Sequence, residues 1–130
     1  MMVGLDGITA AFDRNAFDAL VATSNGTVVG MAIIQESFRT FTGSALYLQD
    51  LIVADSHRGL GLGTLLFQSV ASAAVRRGCN TLFWESVDDN HKANAFYAGA
   101  IGAEQVTCHL NWRIEGEAAL DALAQKAGLA

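Results

Sequence analysis

Proline is absent from this 130-residue chain. Without it there are no proline-rich linkers of the kind that join separate modules. Cysteine is scarce: Cys79 and Cys108 stand alone, with no CxxC or Cys/His spacing around them. That argues against a disulfide framework or a thiolate metal site, and both thiols are expected to be buried and free. Charged residues make up only 16%, the net charge is −5, and lysine and arginine form no block. A nucleic-acid partner needs a clustered basic surface, so the composition argues against one. No apolar run approaches the length of a membrane span. The N-terminus has no basic stretch followed by an apolar block, so a cytoplasmic protein is expected.

What the chain has in quantity is apolar residues, 52%. That is enough to bury one core, and residues 1–130 are expected to form a single domain. A short helix is expected within Met1–Phe17. Ala19–Thr23 and Thr27–Ile34 are β-prone runs around Ser24-Asn25-Gly26, and Asn-Gly is the strongest short hairpin signal. Glu36–Ser44 is small and polar and reads as a loop. Ala45–Val53, apolar on both faces, reads as a central strand. Leu62, Leu66, Val70, Ala73 and Ala74 recur at helical spacing, with Gly78 placed to end that helix. Thr81–Val87 reads as a strand, and Asp88-Asp89-Asn90 can cap a short helix from Lys92 to Ala98. Val106, Cys108, Leu110, Trp112 and Ile114 alternate with polar residues, the period of a strand. An Ala/Leu-rich helix follows Gly116. The order predicts an α/β (α+β) fold with a mixed sheet. Trp84 and Trp112 are expected to pack on that sheet.

The informative segment is Arg58-Gly59-Leu60-Gly61-Leu62-Gly63-Thr64, between a strand and a helix. A helix start presents N–H groups with no internal partner and a partial positive charge. Glycines there let the backbone approach an anion closely, and Arg58 adds a charged donor. No lysine precedes Thr64, so this is no Walker A loop, and the third glycine is misplaced for a dinucleotide fingerprint.

The spacing Arg58-x-x-Gly61-x-Gly63 resembles the acetyl-CoA signature of the GNAT N-acetyltransferases, Gln/Arg-x-x-Gly-x-Gly/Ala. Asn90-x-x-Ala93-x-x-Phe96-Tyr97, followed by Gly102-Ala103, resembles the family's second motif. Within the superfamily the chain is most similar to the diamine (spermidine/spermine-type) acetyltransferases, through Tyr47-Leu48-Gln49-Asp50, Arg58–Thr64, Gly78-Cys79, Asn90–Tyr97 and Trp112. The resemblance runs from about Ala19 onward. It implies a mixed, mostly antiparallel sheet flanked by helices, with a splayed central strand pair. Much of the usual first strand and helices is missing at the front. It also implies a homodimer, which an exposed sheet edge would favour.

The implied activity is acetyl-CoA-dependent transfer of an acetyl group to a primary amine of a small molecule, polyamine-like or amino-acid-like. A protein or peptide N-acetyltransferase and a non-catalytic acyl-CoA-binding module are the alternatives. No metal is implied. By resemblance, backbone groups of Leu51, Ile52 and Val53 receive the pantetheine. Arg58, Gly59, Leu60, Gly61, Leu62, Gly63 and Thr64 hold the pyrophosphate, and Asn90, Ala93 and Phe96 flank the cofactor. Tyr97 matches the family's general acid. The remaining catalytic candidates, Gln49 and Asp50, stand where the family has Glu-Asp. A carboxamide cannot accept the proton. Strand alternation points Asp50 away from Gln49's face unless the strand is bulged. Glu85, Asp88, His109 or no side-chain base at all remain open.

Overall fold

The computed structural model describes residues 5–126. Helix α1 (Leu5–Asp13) is followed by strands β1 (Asp18–Ser24), β2 (Thr27–Arg39) and β3 (Gly43–Val53). A 3₁₀ turn (Asp55–His57) leads into α2 (Leu62–Arg76), then β4 (Thr81–Phe83), α3 (His91–Ala98) and α4 (Glu117–Lys126). The sheet order is β1-β2-β3-β4, with β4 parallel to β3 and the other pairs antiparallel. This is the expected mixed α/β arrangement, a mostly antiparallel sheet flanked by helices. The expected helix near the N-terminus is α1, while residues 1–4 and 127–130 lie outside the described residues.

The β1–β2 turn has positive φ at both central residues, Asn25 (51°) and Gly26 (79°). That twist matches the twist of the flanking strands, which is why Asn-Gly specifies the hairpin. The segment expected to be a loop, Glu36–Ser44, is instead a second hairpin. Glu36 pairs with Leu46, Phe38 with Ser44 and Arg39 with Gly43. Its polar composition misled because this end of the sheet is largely exposed, so pairing there needs no apolar run. Asn80 ties the hairpin end to β4, its N–H donating to the Ser44 carbonyl (3.0 Å) and its side chain to the Thr42 carbonyl (2.6 Å).

One face of the sheet is covered by α2. Leu66, Phe67, Val70, Ala73 and Ala74 pack on Ala32, Ile34, Leu46 and Leu48. The helix ends as its sequence predicts, with Gly78 at φ 73°. Arg77, at that end, bridges Asp18 (2.9 Å) and Glu36 (3.5 Å), clamping α2 to β1 and β2. Where α2 crosses β2 the strand carries Gly30. A Cβ there would stand 3.0 Å from Leu66 Cδ1, so only glycine allows this approach without displacement.

Two expectations fail towards the C-terminus. The strand expected over Thr81–Val87 stops at Phe83, and Val106–Ile114 forms no strand. Alternation commits a segment to two unlike faces, but one face is buried only if a neighbouring strand receives it. Among the described residues, β4 is the strand at that edge of the sheet, and it is three residues long. Trp112 is therefore 87% exposed rather than packed on the sheet, and Cys108 is exposed rather than buried. Cys79 does pack against the core, partly buried.

Leu46 is fully buried at the centre of the α2 interface. Leu46→Ala is expected to cost about 3 kcal/mol in urea unfolding, the ordinary loss for a buried leucine. A cost under about 1 kcal/mol would show that this interface is not the core.

Candidate active site

The turn between β3 and α2 forms a glycine cradle. Gly59 (φ 78°) and Gly61 (φ 81°) both take left-handed backbone, and a Cβ at either would meet open space. Gly61 is also the N-cap of α2, so no side chain occupies the helix start and its first turn carries no acid. The unpartnered N–H groups and the positive end of a 15-residue helix thus face outward. Arg58 is held at the mouth by Asp55 (3.0 Å) and by donating to the Val53 carbonyl (3.3 Å). Phe96 of α3 reaches this helix start, 3.6 Å from where a Cβ on Gly63 would lie. The fold thereby brings the two sequence motifs together. An anion such as a pyrophosphate fits this donor set.

Beside the cradle the sheet opens. β3 and β4 pair only at Ala45–Thr81, Leu46–Leu82 and Tyr47–Phe83. Beyond Tyr47, β3 continues to Val53 with no strand paired on that side among the described residues, which leaves the sheet open where the central pair was expected to splay. On the α2 face the gap is floored by aromatic rings. Phe67 lies 5.0 Å from Trp84, 5.9 Å from Phe96 and 5.8 Å from Tyr97, and Trp84 lies 5.4 Å from Tyr97. Asn90 caps α3, its side chain accepting from the Ala93 N–H (3.4 Å). Asn94 steadies the chain leaving β4 by donating to the Val87 carbonyl (3.0 Å).

The alternation expected along β3 is broken. Ile34 pairs with Leu48, yet Ile33 pairs with Asp50, so β3 carries one extra residue, a β-bulge at Gln49. Residues directly opposite share a face. Leu48 therefore faces α2, whereas Asp50 joins Ile33, Gln35 and Tyr47 on the other face. Beyond the bulge Leu51 and Val53 return to the core face. Asp88 and His109, also possible bases, are exposed and lie outside this arrangement.

On the face away from α2 is an open cavity of about 480 Å³, lined by Gln35, Glu36, Ser37, Tyr47, Phe83 and Glu85, with Ala16 at its edge. Gln35 donates to the Ala16 carbonyl (2.9 Å), fixing that wall. Sequence reasoning missed Gln35 and Ser37 because their strand was expected to end at Ile34. The period-two continuation through Gln35, Ser37 and Arg39 was the available signal. The Tyr47 and Phe83 rings lie 4.9 Å apart, tilted by 38°. Burial first, then the negative charges of Glu85 and Asp50, push its phenol above the ordinary value of 10.0.

A raised folded value means that this group's stabilisation is complete below pH ~10 and is lost as pH climbs through the folded value. In a Tyr97→Phe background, which leaves one tyrosine, the tyrosinate absorbance of Tyr47 is expected to appear above pH 10. Asp50→Asn with Glu85→Gln should lower that midpoint without restoring the ordinary value, because burial is the larger cause. An unmoved midpoint would show that neither carboxylate faces the phenol.

Comparison with known proteins places these features. The profile of the "Acetyltransferase (GNAT) family" matches residues 5–102. Thialysine N-epsilon-acetyltransferase of Bos taurus is 36% identical over 94 residues, covering 70% of this chain and 55% of that protein. Spermidine/spermine N(1)-acetyltransferase-like protein 1 of Homo sapiens is 26% identical over 109 residues, 78% of this chain and 16% of that one. The chain thus spans about half the length of the thialysine enzyme it matches. Among solved structures, a V. cholerae integron cassette protein superposes with a TM-score of 0.80 at 25% identity, covering 95% of this chain and 79% of that chain. With a family match across the cradle, the splay and α3 together, the chain belongs to the GNAT acetyltransferase family.

Proposed function

We propose that the protein is an acetyl-CoA-dependent N-acetyltransferase whose acceptor is the primary amine of a small molecule. The observation that carries this is the bulge at Gln49, which turns Asp50 through the sheet just where β3 loses β4 as its neighbour. Asp50 then stands on one face of the sheet, and the Tyr97 ring packs with Phe67 and Trp84 on the other. The thialysine and spermidine/spermine names of its relatives point to the same class of acceptor.

Acetyl-CoA supplies an acyl group activated as a thioester. Arg58 and the backbone from Gly59 to Thr64 hold its pyrophosphate, and the free backbone of Leu51, Ile52 and Val53 receives the pantetheine. Ala93 and Phe96 flank it, and Asn90 contributes through the helix it caps. Asp50 takes the proton from the incoming ammonium, because only the neutral amine is a nucleophile. Gln49, adjacent on the bulge, hydrogen-bonds the amine without taking its proton. As the amine nitrogen bonds to the acyl carbon and the carbon–sulfur bond breaks, Tyr97 gives a proton to the departing sulfur and regains one from the nitrogen of the new amide.

The assembly in this reading is a homodimer in the cytoplasm. Two unbridged thiols suit a reducing compartment, and a net charge of −5 suits an amine rather than a nucleic acid. Val106, Leu110, Trp112 and Ile114, apolar residues that alternate with polar ones in the sequence, are all more than half exposed. Light scattering is expected to give twice the chain mass, and Leu110→Ser with Trp112→Ser to give the single mass. A monomeric parent would end the dimer proposal.

Calorimetry is expected to show acetyl-CoA binding that Gly61→Asp weakens at least about tenfold, since the change adds a like charge and a side chain at φ 81°. Asp50→Asn and Tyr97→Phe should leave that binding intact and lower kcat about a hundredfold, the ordinary size of a proton-transfer contribution. Binding without thiol release for any amine would make the protein an acyl-CoA-binding module, and no binding would remove the proposal entirely.

A further inference from the structure

The gap that opens between β3 and β4 has a carboxylate on each side. The parallel register runs Ala45–Thr81, Leu46–Leu82 and Tyr47–Phe83. Continued two residues along each strand, it brings Glu85 level with the bulge at Gln49 that turns Asp50. Trp84, between Phe83 and Glu85, packs on the α2 side, its ring 5.0 Å from that of Phe67. Glu85 lines the open cavity of about 480 Å³ on the opposite side, together with Tyr47 and Phe83. Asp50 shares that face with Tyr47. After burial, the charges that push the Tyr47 phenol up are those of Glu85 and then Asp50, so both carboxylates stand near this one ring.

Neither carboxylate is neutralised from within. Arg58, Arg77 and Arg113 hold other acids. Glu36 also lines the cavity, but Arg77 stands 3.5 Å from it. Arg39, a cation of this face, lies 4.1 Å over the Phe83 ring rather than on either acid. Among the described residues, Glu85 is thus the one acid lining the cavity that has no ion-pair partner. Gln35 spends its amide N–H on the Ala16 carbonyl (2.9 Å), which leaves its oxygen to accept. Two negative charges facing one gap repel each other, and a cation set between them relieves both. Gln49 is neutral, so the β3 side of the gap supplies one of those charges and Glu85 supplies the other.

We infer that Glu85 is an ammonium-binding residue of the acceptor site, holding the incoming amine across the gap from Asp50, which then takes its proton. The nitrogen arrives positive and becomes positive again as it bonds to the acyl carbon. The contact with Glu85 therefore counts equally in the bound ammonium and in the transition state, so its loss appears in KM rather than in kcat. Asp50, which moves the proton, acts on kcat. The inference rests on the acetyltransferase reading and adds to it a residue from the far side of the gap.

Steady-state kinetics test it, with whichever amine wild type acetylates fastest from a panel that includes lysine, 1,5-diaminopentane and benzylamine. Glu85→Gln keeps the shape of the side chain and removes its charge. It is expected to raise KM for that amine at least about fivefold, with kcat changed less than about twofold. Acetyl-CoA affinity should stay constant, and Glu85→Asp should retain part of the wild-type KM. Adding Gln49→Glu to Glu85→Gln should recover most of the lost affinity, because the charge returns from the other side of the gap. A merely structural role of Glu85 would not be rescued by a charge on a different strand. An unchanged KM in Glu85→Gln, or a raised one that Gln49→Glu does not recover, overturns the inference while leaving the acetyltransferase standing. A fall in kcat as large as that of Asp50→Asn overturns it too, since Glu85 would then be moving the proton. Thiol release with no amine at all removes the underlying reading and this inference together.

Discussion

Phe67 is the side chain on which the rest of the molecule turns. It is 3% exposed, faces the sheet from the middle of α2, and meets Trp84, Phe96 and Tyr97 on its free edges. Aromatic pairs in edge-on geometry contribute directional attraction beyond the area they bury. Three such pairs on one ring hold three chain segments: α2, the exit of β4, and α3. Trp84 follows the last paired residue of β4, so the ring that anchors it also sets where β4 stops following β3. A smaller residue at 67 would let Trp84 and α3 settle inward. The opening of the sheet thus coincides with the point where bulky rings gather on its α2 face.

The bulge acts on the same strand from the opposite side. β3 must serve two demands that a regular strand cannot meet together. Leu46 and Leu48 must face α2 before the gap, and Leu51 and Val53 must face it after. Even-numbered and odd-numbered residues share a face only if one residue is inserted, and Gln49 is that residue. The hydrophobic pattern of β3 thus enforces the bulge, because a regular strand would put either Leu48 or Leu51 into water at roughly 2 kcal/mol. Asp50 is delivered to the face of Tyr47 by the apolar residues around it. Core packing and site geometry are one constraint in this strand.

This explains what could be read in advance and what could not. The Asn25-Gly26 turn, α2 with its terminal Gly78, and the Asn90 cap were legible because each rests on residues adjacent in sequence. The cradle was legible for the same reason. The facing of Asp50 was not, although the signal lay in plain view as the change of apolar parity from Leu46 and Leu48 to Leu51 and Val53. Gln35 and Ser37 were missed because a polar strand at an exposed sheet end looks like a loop. Val106–Ile114 shows the opposite failure. Its alternation is unbroken, but periodicity states only that two faces differ and never says what covers them.

The exchange of a family glutamate for Gln49 has a physical reading within this geometry. Bulged residues lie close together, and two carboxylates at that spacing would each hold the other's proton on more tightly. With a carboxamide at 49, the bulge carries one negative charge rather than two. Arg39 lies on the same face and, among the described residues, has no carboxylate within ion-pair distance. Gln49 and Arg39 thus act in one direction, making that face less negative than a pair of carboxylates alone would.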